Sequence, residues 1–97
     1  MLDQPWFVQK LAEKDPELHR QVVQAIELAT GPGVLDEKTK LLIVLALDAF
    51  KGSSPGVKAV VEQARRAGAT EPEIRETLRI AYLVSVMGCL GASSEAY

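Results

Sequence analysis

The chain has 97 residues, 47% of them hydrophobic and 25% charged, and a formal net charge of −2 at pH 7. Lys and Arg are scattered, with only Arg65 and Arg66 adjacent, so the charge argues against nucleic acid or an anionic membrane surface as a partner. A single cysteine, Cys89, excludes an intramolecular disulfide and any Cys-x-x-Cys chemistry within one chain.

Every long segment has helical period and none alternates as a strand does. The first helix is expected from about Gln4 to Lys14, with Trp6, Phe7 and Leu11 on one side. The two aromatics there would line a pocket, cover a subunit interface or dock the helix on its own domain. Asp15 reads as the cap of a second helix, with Pro16 at its first position. Leu18, Val22, Ala25, Ile26 and Ala29 make its apolar stripe, and Thr30-Gly31-Pro32-Gly33 ends it. His19, the only histidine, falls at the edge of that stripe and reads as a surface residue. One histidine and one distant cysteine match no zinc spacing, so no metal is expected, and no cofactor motif is present.

Asp36 caps the third helix, which is expected to run to about Lys51 with Gly52 as its stop signal. Leu41 to Leu47 is apolar without interruption, and a helix apolar all round must be covered on every side. So short a chain has few elements to do the covering, which points to a homo-oligomer. The same run is far too short to span a bilayer, and the start of the chain shows no basic region followed by an apolar stretch. A cytoplasmic protein with no membrane partner is the expectation. Asp48, near the end of this helix, reads as a wet-surface partner of Lys51 at i,i+3, with a pocket carboxylate as the other reading.

Ser54 reads as the cap of the fourth helix, with Pro55 next. Its stripe is Val57, Val60, Val61, Ala64 and Ala67; Lys58, Glu62, Arg65 and Arg66 face water, with Glu62 and Arg66 at ion-pair spacing. Thr70-Glu71-Pro72-Glu73 is a capping box for the fifth helix. That helix starts amphipathic with Ile74, Leu78 and Ala81 and becomes apolar on most sides from Ile80 to Met87. The tail from Gly88 is small and polar and is expected to fray unless a neighbouring subunit holds it. Cys89 reads as a small buried residue of an apolar helix end, with a reactive thiol as the alternative. The fold class is all-α, a compact bundle of about five helices in one domain spanning 1–97.

Two segments carry a resemblance: Leu35-Asp36-Glu37-Lys38-Thr39-Lys40-Leu41-Leu42-Ile43 and Ala67-Gly68-Ala69-Thr70-Glu71-Pro72-Glu73-Ile74, with Gly52-Ser53 between them. Together they resemble the carboxymuconolactone decarboxylase and alkylhydroperoxidase D family, most densely over 35–74. Redox members carry E-x11-C-x2-C-x3-H, in which the second cysteine is the nucleophile and the glutamate, a water and the histidine relay its proton. In this chain those four positions are Leu41, Ser53, Gly56 and Val60. None of them supplies a thiolate, a base or a proton relay, so the resemblance implies the family frame without its dithiol peroxidase chemistry.

The lactone-decarboxylating members, for which the resemblance implies a histidine at the same place, are disfavoured by Val60. The family's habit of forming rings or trimers of dimers makes a hexamer the first expectation. The leading reading is a small-molecule-binding or structural oligomer with a degenerate active site. The alternative is a cysteine-pair-independent decarboxylase or isomerase of a small organic acid, with a rebuilt site at the same helix junction. Ser53, Ser54, Lys58 and the start of the fourth helix are the candidate contacts for a small anionic ligand, with Asp48 a candidate acid or base. The bland reading of the serines is a cap and a turn.

Overall fold

In the computed structural model, which describes residues 1–97, side-chain oxygens set where four of five helices begin. The helices are α1 (Trp6–Lys14), α2 (Pro16–Thr30), α3 (Glu37–Lys51), α4 (Ser54–Arg66) and α5 (Glu71–Ser93), followed by a short 3-10 helix at Ser94–Ala96, with no strand. The Leu18 N–H donates to Asp15 Oδ1 at 3.1 Å and the Thr39 N–H to Asp36 Oδ1 at 2.8 Å. At α5 the capping box is complete: the Glu73 N–H donates to Thr70 Oγ1 at 3.3 Å, and the Thr70 N–H to Glu73 Oε1 at 2.8 Å. Each bond satisfies a donor that the first helical turn would otherwise leave free.

Helix α1 starts at Trp6 rather than Gln4. Gln4 precedes Pro5, and the proline ring disfavours helical geometry in the residue before it. Residues 1–5 instead form an extended strap. The Leu2 N–H donates to Thr30 Oγ1 at 3.0 Å, the Asp3 N–H to Gln63 Oε1 at 2.9 Å, and Arg66 pairs with the Asp3 carboxylate at 3.2 Å. Arg66 is therefore taken by the strap, and Glu62 pairs with Arg65 at 2.9 Å, an i,i+3 spacing, instead of with Arg66. Arg65 also holds Glu71 at 2.8 Å, tying the end of α4 to the start of α5.

The core is Leu41 and Leu45 of α3, Val60 and Ala64 of α4, Ala69 of the connecting turn and Ile74 of α5, with Leu2 of the strap packed against it. Helix α3 is central, lying against both α4 and α5, while α1 packs chiefly on α2. Only nine of 97 residues are buried. The bundle is drawn out to 53 × 31 × 25 Å, with a radius of gyration of 16.1 Å, where a tightly closed hundred-residue domain has about 13 Å.

The C-terminal half of α5 has no helix over it. It stays helical to Ser93 instead of fraying at Gly88, and the Ser93 and Ser94 hydroxyls donate back to the Cys89 and Gly91 carbonyls at 2.7 Å. Cys89 is consequently exposed rather than buried. By length and composition the run Glu71–Ala96 is long and apolar enough to cross a membrane, and only 6% of its apolar window is buried in the bundle. Its first half nevertheless supplies Ile74 and Ala81 to the interior.

Candidate functional site

The turn from α3 to α4 is fixed by backbone geometry. Gly52 takes the left-handed conformation with φ 75°, which glycine adopts without steric cost. The chain then restarts at once: the Ser53 N–H donates to the Asp48 carbonyl at 2.9 Å, and Ser53 Oγ accepts the Gly56 N–H at 3.3 Å. Ser53, not Ser54, is thus the cap of α4, and Pro55 sits one position deeper than expected.

Beside this turn lies a cavity of about 430 Å³. The strap and the start of α1 form one wall with Pro5, Trp6 and Phe7. Helix α3 supplies Val44 and Asp48, the turn supplies Ser53, and α4 supplies Gly56, Ala59, Val60 and Gln63. Trp6 and Phe7 meet edge to face, with ring centres 5.8 Å apart and planes at 84°. That arrangement is favourable for aromatic pairs and leaves both rings a free surface.

Asp48 is half-buried on this cavity and makes no ion pair with Lys51, so the i,i+3 surface pair expected from the sequence does not form. Its carboxylate occupies space that a side chain at position 56 would need. A Cβ on Gly56 would lie 2.8 Å from Asp48 Oδ2 and 2.8 Å from Ser53 Oγ. The absence of a side chain at 56 is what lets a carboxylate and a hydroxyl converge there.

The four positions that the resemblance sets against the redox motif differ in their surroundings. Leu41 and Val60 are 1% and 2% exposed and belong to the core, and Val60 also touches the cavity wall. Ser53 and Gly56 line the cavity. The sequence-derived anion contacts fare unevenly. Lys58 is exposed and does not line the cavity. Of the first-turn donors, Pro55 has none, Gly56 donates to Ser53 Oγ, and the Val57 N–H goes to the Ser53 carbonyl at 2.9 Å.

Well-formed ion pairs lie elsewhere. Lys38 of α3 donates to Glu73 of α5 at 2.9 Å, and with the Thr70 backbone bond this holds the Glu73 carboxyl down at about 2. The same contact raises the Lys38 ammonium. Glu71 is likewise held below the usual carboxylate range, chiefly by Arg65. These pairs clamp α5 to α3 and α4 and stand outside the cavity. No three His, Cys, Asp or Glu side chains converge as a metal site would require.

The sequence links Ser53, Gly56 and Asp48 to the α3–α4 junction but gives no sign that Trp6 and Phe7 lie beside them. The strap that brings the aromatics to α3 and α4 depends on Asp3 meeting Gln63 across 60 residues, and no local pattern announces such a pair. No curated protein matches the chain. The sequence profile of the Carboxymuconolactone decarboxylase family matches residues 16–88, which include α2, α3, α4 and most of α5 together with the Ser53–Gly56 turn. The chain belongs to the carboxymuconolactone decarboxylase family.

Proposed function

We propose that this family member has given up dithiol peroxidase chemistry and binds a small organic molecule in the cavity beside the α3–α4 turn, working as a cytoplasmic homo-oligomer. The observation that carries the reading is the cavity itself, which opens on Ser53 and Gly56 and gathers two aromatic rings and a carboxylate there. Mostly apolar walls with a few convergent polar groups are the usual make-up of small-molecule sites. A chain with one cysteine, exposed on α5, has no pair to oxidise within the subunit.

Two assays test this. With a hydroperoxide and a dithiol reductant, no turnover above background is expected; reductant-dependent turnover abolished by Cys89→Ser would overturn the loss of redox chemistry. In a thermal-shift screen with small amines, carboxylic acids, acyl thioesters and aromatic lactones, at least one class should raise the melting temperature, because ligand binds the folded state. Failure of all four would overturn the binding reading.

The same convergence supports a second reading, a decarboxylase or isomerase of a small organic acid. Asp48 would then exchange the proton while Ser53 holds a substrate oxygen. Consumption of such an acid, lost in Asp48→Asn, distinguishes catalysis from binding alone.

The oligomer reading rests on uncovered apolar surface. Ile43, Leu47 and Phe50 form a stripe on α3, and Ile80, Val84 and Met87 one on α5, each of these residues 45–58% exposed. Stripes of that spacing are what helix-on-helix packing buries. Light scattering on detergent-free protein should give a closed multiple of 10.5 kDa, a hexamer by the family's habit. A monomer, or recovery only with membranes, would contradict it.

A further inference from the structure

The charges on the cavity wall are all of one sign. Asp3 and Asp48 are its only ionisable lining residues, and no Lys, Arg or His lines it. Asp3 is already matched by Arg66 at 3.2 Å. Asp48 is not matched: its carboxylate enters none of the five ion pairs and accepts no side-chain or backbone hydrogen bond. It is half-buried, and Gly56 holds open the space it occupies, with Asp48 Oδ2 and Ser53 Oγ each 2.8 Å from where a Cβ would stand. The Trp6 and Phe7 rings line the same cavity.

A partly desolvated carboxylate without a partner favours a cation, and aromatic faces add to that preference through their negative quadrupole. An anion would meet the opposite: like charge at Asp48, and Gly56 and Val57 N–H groups already engaged with Ser53. We propose that the ligand of this cavity is an organic amine, an ammonium group on an aromatic or apolar body. Asp48 is its counter-ion, Ser53 Oγ a second acceptor, and Trp6 and Phe7 the wall against which the apolar body lies. The assignment rests on the small-molecule reading above and specifies its ligand class.

Trp6 is the only tryptophan in the chain and lines the cavity, so its fluorescence reports occupancy directly. The intact protein is titrated with three probes of similar shape: phenethylamine (cationic), 2-phenylethanol (neutral) and phenylacetate (anionic). Phenethylamine should give a saturable change, with affinity about tenfold or more above the other two. Asp48→Asn should remove that preference. Gly56→Ala keeps every charge but pushes the Asp48 carboxylate aside, and should weaken phenethylamine by a comparable factor. Circular dichroism melts confirm that both variants are folded, and if one is not, the other decides. Equal or tighter binding of phenylacetate or 2-phenylethanol would overturn the amine assignment while leaving the cavity as a binding site. A preference for phenethylamine unchanged in a folded Asp48→Asn or Gly56→Ala protein would also overturn it. No saturable response from any probe would overturn both readings.

Discussion

Leu41 and Val60 on one hand, and Ser53 and Gly56 on the other, sit in different surroundings. Leu41 and Val60 face each other's helices inside the core, 1% and 2% exposed. Ser53 and Gly56, between them in sequence, border a cavity of about 430 Å³. The difference lies in what each substitution does to its surroundings. Leucine and valine at these buried helix positions contribute packing and no ionisable group. Serine and glycine at the turn act differently: one caps α4, and the other leaves room for the Asp48 carboxylate. One pair serves the core, and the other borders open space.

The largest way to break this comparison is at Leu41. If its role is packing, Leu41→Ala should cost about 2–5 kcal/mol in denaturant unfolding, as deletion of a buried leucine does. A loss of well under 1 kcal/mol would mean that the position is not part of the core. Ser53→Ala should cost less, about 1 kcal/mol, by removing the cap of α4. It should also weaken ligand binding at the cavity, which Leu41→Ala at a temperature where it remains folded should not. The two variants thus separate stability from binding, and identical effects on both readouts would erase the distinction.

The smallest effect sharpens the boundary of the site. Glu73 has a carboxyl lowered from an ordinary 4.5 to about 2 by Lys38 and Thr70. A lowered carboxyl contributes stability that is present above its unfolded value and lost as the pH falls through the folded one. The melting temperature should therefore drop between pH 4.5 and about 2, and Glu73→Gln should flatten that dependence. Because the Lys38–Glu73 clamp stands outside the cavity, the variant should leave ligand affinity at neutral pH unchanged. A changed affinity would join two regions that the structure keeps apart.

Much of the helical framework was legible in the residues, because caps act over three or four positions. Asp15, Asp36 and the Thr70–Glu73 box start their helices where the sequence placed them. The choice between Ser53 and Ser54 was not legible. Two adjacent hydroxyls precede one proline, and the decision is made by how tightly Gly52 turns the chain out of α3. Asp48 misled for a related reason. Spacing shows that Lys51 lies within reach, but not which elements cover the helix face between them. The strap was invisible locally, since Leu2 meets Thr30 and Asp3 meets Gln63 only once α2 and α4 are in place. The apolar sequence around Cys89 implies burial, but no element of the chain covers it.

The central claim, that a ligand binds beside Ser53 and Gly56 while Leu41 serves packing alone, is tested most directly by amide chemical shifts. The isotope-labelled protein is titrated separately with phenethylamine, 2-phenylethanol and phenylacetate. The account predicts that at least one probe shifts a single group of amides, those of the strap and α1 start, Asp48, the Ser53–Gly56 turn and Gln63. Those along the exposed C-terminal half of α5 should stay in place. Shifts gathered on α5, or none with any probe, would contradict it.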